Sequence, residues 1–71
     1  MPDQKFLSGL GARIKEIRTK KNMTQNDLAI QCNFEKASMS RIESGKTNVT
    51  VLTLRRISKA LDVEIAEFFS N

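Results

Sequence analysis

The stretch TQNDLAIQCNFEKASMSRIESG, residues 24–45, decides the fold. Thr24 offers a hydroxyl as an N-cap. Asp27 stands three residues on, where its carboxylate can reach back to the cap and also meet the positive end of the helix dipole. A helix therefore begins here and turns Leu28, Ala29 and Cys32 inward. It ends within about two and a half turns at Asn33, a residue that tolerates the left-handed conformation of a tight turn. Phe34 follows as a buried plug. A second helix runs from Glu35 or Lys36 to Ser44 with Met39 and Ile42 inward, and Gly45 sits where a C-terminal cap favours a residue without a side chain.

Asn33 and Phe34 leave so short a turn that the two helices must cross steeply, which is the helix-turn-helix arrangement. Upstream, Phe6, Leu10, Ile14 and Ile17 recur at spacings of four, four and three, one face of a helix, with Ser8, Arg13, Lys15, Glu16 and Lys20 on the wet side. Gly9 and Gly11 weaken its first turns by roughly 1 kcal/mol each relative to Ala. The firm part is therefore expected to begin near Leu10 and to stop around Lys21 or Asn22. Downstream, Lys46 to Val49 make a polar loop and Thr50 caps a fourth helix. Its buried stripe is Leu54, Ile57 and Leu61, extended by Leu52 and Val63. Glu64 to Phe69 adds one or two further turns. The expectation is an all-α protein, a compact five-helix bundle over residues 10–69, with the helix-turn-helix at about 24–44 and residues 1–9 as an N-terminal extension.

Seventy-one residues provide one small domain with a modest core, which excludes large cofactor-binding sheets and two-domain clefts. The composition is 39% apolar and 28% charged, with no His, which removes the commonest general base and metal ligand. The lone Cys32 can form neither an internal disulfide nor a Cys-rich zinc site, and is read as a small core residue. Neither an enzyme, a metal nor a cofactor is expected. Net charge is +4, the sign expected of a chain that meets a polyanion, and residues 1–23, with six cations and two anions, hold the whole excess. Residues 24–50 and 51–71 each balance at three and three. No apolar run approaches the roughly 18 residues of a membrane span, and the start lacks the design of a signal peptide, so a cytoplasmic protein without membrane attachment is expected.

Three blocks of sequence stand in order: TQNDLA at 24–29, SRIESGK at 40–46, and the run from Leu54 through Ala60, Leu61, Asp62 and Val63. Together they resemble the Cro/C1-type helix-turn-helix regulators, the XRE family, over roughly Leu10 to Phe69. In size the chain also resembles small phage repressors and restriction-modification controller proteins. The resemblance implies a lambda-repressor-like fold and a regulator of transcription that binds double-stranded DNA.

A B-DNA major groove about 12 Å wide admits one helix, whose first turns touch base edges. With Met39 and Ile42 turned inward, the third helix leaves Lys36, Ala37, Ser38, Ser40 and Arg41 pointing outward or towards its leading end. Counted from Gly45, these are positions where the family places DNA contacts. Arg41 is the best single base reader, because a guanidinium donates two parallel hydrogen bonds to guanine; its alternative is a phosphate clamp. Lys36 divides similarly and leans to phosphate. Ala37 can press on a thymine methyl or simply favour the helix, and Ser38 and Ser40 are ambiguous hydroxyls. Base contact is therefore assigned to Lys36, Ala37, Ser38 and Arg41. Ser40 is assigned to the DNA backbone; the resemblance implies backbone contacts also for Gln25, at the start of the second helix where a phosphate is already favoured, and for Lys46, Thr47 and Asn48. The loop departs from the family in having Val49 where Pro is common. The resemblance further implies that Arg18 pairs with Glu43 as a structural ion pair, which removes Arg18 from the DNA contacts.

Ile65, Phe68 and Phe69 are more apolar than a chain this short can easily cover. A two-fold dimer through them would bury them and present two recognition helices about 34 Å apart to a palindromic operator. A homodimer without a small-molecule effector is expected. The alternative is a protein-interaction module, antitoxin-like, with DNA binding secondary.

Overall fold

A computed structural model describes residues 2–69. Four α-helices, α1 (Pro2–Lys20), α2 (Gln25–Cys32), α3 (Lys36–Glu43) and α4 (Val51–Leu61), are followed by a 3-10 turn at Ile65–Phe69. The architecture is all-α. The expected fifth helix is this five-residue 3-10 turn, set off from α4 by the left-handed Asp62 (φ 57°). Among the described residues no helix is long and apolar enough to cross a membrane.

α1 differs most from expectation. It starts at Pro2, eight residues before Leu10, and runs unbroken through Gly9 and Gly11. Gly11 is needed for a close approach: a Cβ there would lie 2.5 Å from the Glu43 carbonyl oxygen and also strike that of Ile42. The contact that demands glycine therefore outweighs its poor helix propensity. Residues 2–9 are likewise tied to the domain and do not form a separate extension. The Gln4 side-chain amide donates to the Gly45 carbonyl at 2.8 Å, and Gly45 (φ 73°) packs so near Ser8 that a Cβ would lie 2.5 Å from its Cα.

The helix-turn-helix is capped by local chemistry. The Thr24 hydroxyl accepts from the Asp27 amide at 3.0 Å, while Asp27 Oδ2 accepts from the Thr24 amide at 2.9 Å. These bonds hold the Asp27 carboxyl below the ordinary carboxylate range. Asn33 closes α2 at φ 59°, and the Phe34 amide donates to the Ala29 carbonyl at 2.9 Å. Thr50 caps α4 by accepting from the Thr53 amide at 3.1 Å.

All four α-helices contribute to the core, in which Ile14, Leu28, Met39, Ile57 and Leu61 are fully buried. α3 packs on α1 and α2, so its opposite face remains outside. Cys32 is buried, and burial pushes its thiol up, away from the reactive thiolate. Phe6 and Leu52, both expected inward, are each 60% exposed. Each lies at the outer end of its helix stripe, where periodicity continues but the partner helix does not. Phe34 is half-buried against the core, as is Val63.

Candidate nucleic-acid interface

A buried polar network fixes α3. Arg18, at the end of α1, donates from Nε to Glu43 Oε2 at 2.7 Å and from Nη2 to Oε1 at 3.0 Å, a bidentate pair. Its Nη1 donates to the Met23 carbonyl at 2.7 Å, fixing the turn into α2. Gln25, in the first turn of α2, donates to Glu43 Oε1 at 3.1 Å. One carboxylate thus joins α1, α2 and α3. With Arg18 and Glu43 each 7% exposed, α3 cannot rotate or slide without stranding a buried charge.

This network changes the electrostatics of the outward face. By sequence, α3 with its N-cap is near neutral, but Glu43 is buried and neutralised by Arg18. Within α3, the exposed charges are therefore Lys36 and Arg41 alone, neither of which has an ion-pair partner among the described residues. The Arg41 guanidinium makes only a long 3.4 Å contact with the Ser38 hydroxyl, which leaves most of its donors free. Ala37 and Ser40 are exposed and Ser38 is half-buried. Of the five outward residues, Ser38 and Arg41 border a cleft of about 250 Å³ together with Thr47 and Asn48 of the following loop.

The loop after α3 is shaped from both sides. The Lys46 amide donates to the Arg41 carbonyl at 2.9 Å, closing the helix end across Gly45. Lys46 and Asn48 are exposed and Thr47 is half-buried, while Val49, at the place of the family's proline, anchors the loop by packing against the core. Gln25 lies half-buried on the other flank, committed through its amide nitrogen to Glu43. The amides of Gln25 and Asn26 have no acceptor among the described residues, as befits the first turn of a helix open to an anion.

The three residues assigned to a dimer contact divide. Phe68 is 2% exposed and fills the core of its own protomer, which corrects its assignment to an interface. A 3-10 turn advances about a third of a turn per residue, so adjacent phenylalanines face different ways and the core claims one. Phe69 is 52% exposed and stacks on Phe6 with ring centroids 6.2 Å apart and planes inclined by 16°. Ile65 is half-buried. Phe6 was missed as a surface residue, and Gln4 as the holder of the loop, because both partners are more than 40 residues away in sequence.

A family model described as helix-turn-helix (HTH_3) matches residues 14–68. The control protein C.BamHI of Bacillus amyloliquefaciens is 40% identical over 55 residues, covering 76% of this chain and 68% of that protein. The crystal structure of the restriction-modification controller protein C.AhdI from Aeromonas hydrophila superposes with a TM-score of 0.89 at 31% identity, over 92% of this chain and 98% of that one. The controller protein C.Esp1396I, solved as a tetramer in complex with its natural 35 base-pair operator, gives a TM-score of 0.80 at 41% identity, over 89% and 83% of the two chains. The chain belongs to the Cro/C1-type helix-turn-helix family, XRE, whose members among its relatives are controller proteins and transcriptional regulators.

Proposed function

We propose that this chain is a sequence-specific, double-stranded DNA-binding regulator of transcription that works as a homodimer on a palindromic operator. The observation that carries this is the outward face of α3: Lys36 and Arg41 stand exposed without acidic partners on a helix held by a buried charge network. Arg41, with Lys36, Ala37 and Ser38, reads base edges. Gln25, Ser40, Lys46, Thr47 and Asn48 hold the sugar-phosphate backbone on either side. The operator complex of C.Esp1396I supports the same use of this fold. Ile65 and Phe69 supply apolar contacts of the dimer. The work is binding in the cytoplasm, with no catalytic step and no small-molecule effector.

Titration against random duplex and against the DNA upstream of its own gene, at about 50 and 200 mM salt, tests this directly. Binding should weaken steeply with salt on both, with the upstream DNA preferred. Arg41→Ala should cost about 1–3 kcal/mol on the preferred site and relax preference at one base position of each half-site. Gln25→Ala should weaken all sequences about equally. Uniform loss for both variants would contradict the division between base and backbone contacts. Absence of binding to either duplex would contradict the function and favour the protein-interaction module.

A further inference from the structure

Residues 24–50 carry three carboxylates, and the fold employs two of them. Asp27 is committed to the Thr24 cap, and Glu43 is buried against Arg18. Glu35, the N-cap residue of α3, is exposed, makes no side-chain capping bond and forms no ion pair among the described residues. Its presence there carries two costs. A helix start favours the short side chains of Ser, Thr, Asp and Asn, and α2 and α4 each begin with a threonine that accepts from an amide of the first turn. Glu35 forgoes that bond. The second cost falls on DNA binding, because a free carboxylate next to Lys36, at the end of α3 that enters the groove, repels phosphates. A residue that breaks a local rule without a gain to the fold points to a functional position.

The groove limits what a carboxylate can meet at this end of the helix. An ionised carboxylate accepts hydrogen bonds and donates none. On major-groove edges guanine presents O6 and N7 and thymine presents O4, all acceptors, whereas the polar group of cytosine is its N4 amino donor. Adenine offers an amino group too, but with the acceptor N7 beside it, which opposes the second carboxylate oxygen. We propose that Glu35 is a specificity-determining residue, which accepts from cytosine N4 in each half-site and repels guanine and thymine at that position. Lys36 and Arg41 seek acceptors and Glu35 seeks a donor, so α3 presents groups of both kinds to different bases. Repulsion sharpens the choice, since a site without the cytosine is penalised and not merely less favoured. The proposal rests on the reading of base edges by α3.

Parallel selections from a random duplex pool with the full-length parent, Glu35→Ala and Glu35→Gln test this. The position is exposed, and circular dichroism checks that each variant keeps the fold. The parent should enrich cytosine at one position of each half-site, distinct from the position that Arg41→Ala relaxes. In Glu35→Ala the preference for cytosine there should fall by about 5- to 150-fold, the worth of one good base contact. Glu35→Gln should lose cytosine and admit adenine, whose N6 and N7 suit a carboxamide. Affinity for random duplex should rise in both variants, because a charge that repels phosphates is gone. A merely structural cap would move neither the preferred base nor random binding upward. Cytosine kept in both variants, loss of preference for a base other than cytosine, or weaker binding to all sequences would overturn the role of Glu35 while leaving the DNA-reading function standing. A parent that enriches no sequence would overturn both.

Discussion

Glu43→Ala should destabilise the fold by about 3–5 kcal/mol, read as a lower urea midpoint at nearly constant slope. The substitution leaves the Arg18 guanidinium, its side chain 8% exposed, without the bidentate carboxylate that offsets its desolvation. Against a total stability of about 5–10 kcal/mol for a small domain, this is a large fraction. The cost reflects a stranded charge more than the worth of the pair. Arg18→Met combined with Glu43→Leu should therefore cost less than Glu43→Ala alone. Because Gln25 also donates to Glu43, all Glu43 variants should bind DNA more weakly even at temperatures where they remain folded. Equal stability of Glu43→Ala and the parent would show that the network does not hold α3.

For Gly11→Ala, helix propensity and tertiary packing predict opposite signs. In an isolated helix the change stabilises by about 1 kcal/mol. Here the new methyl would meet the carbonyl oxygens of Ile42 and Glu43, which are backbone atoms that can yield only if α1 and α3 separate. Overpacking of this kind costs about 1–3 kcal/mol. Net destabilisation, measured by thermal unfolding, is expected, together with weaker DNA binding, since the displaced backbone carries Glu43 and the end of α3. Gly9→Ala is the control. Nothing lies within 4 Å of its Cβ position, so it should stabilise. A stabilised Gly11→Ala protein would contradict the close approach of α1 and α3.

These glycines also show what could be read in sequence. Caps were legible because their chemistry is local: Thr24 with Asp27, Asn33, Gly45 and Thr50 act within a few residues of themselves. The outward face of α3 followed from Met39 and Ile42 by periodicity alone. The start of α1 was hidden because glycine propensity was weighed without the helix it approaches, although Pro2 and Asp3 are themselves helix-start signals. Phe6 and Leu52 were misplaced because a periodic stripe does not reveal where its partner ends. Of Phe68 and Phe69, sequence could say that one must be exposed and could not say which. The charge of the outward face of α3 was legible only through the family resemblance: Glu43 counts against it in sequence, and the implied pairing with Arg18, 25 residues away, removes it.

Selection of bound sequences from a random duplex pool tests the central claim most directly, because it reports specificity and symmetry together. An enriched palindrome is predicted, with half-sites centred about one helical turn apart, roughly 34 Å, and one position in each half-site losing its preference in the Arg41→Ala protein. A pool that stays random after repeated rounds, or an enriched site without two-fold symmetry, would contradict a dimer that reads DNA through α3.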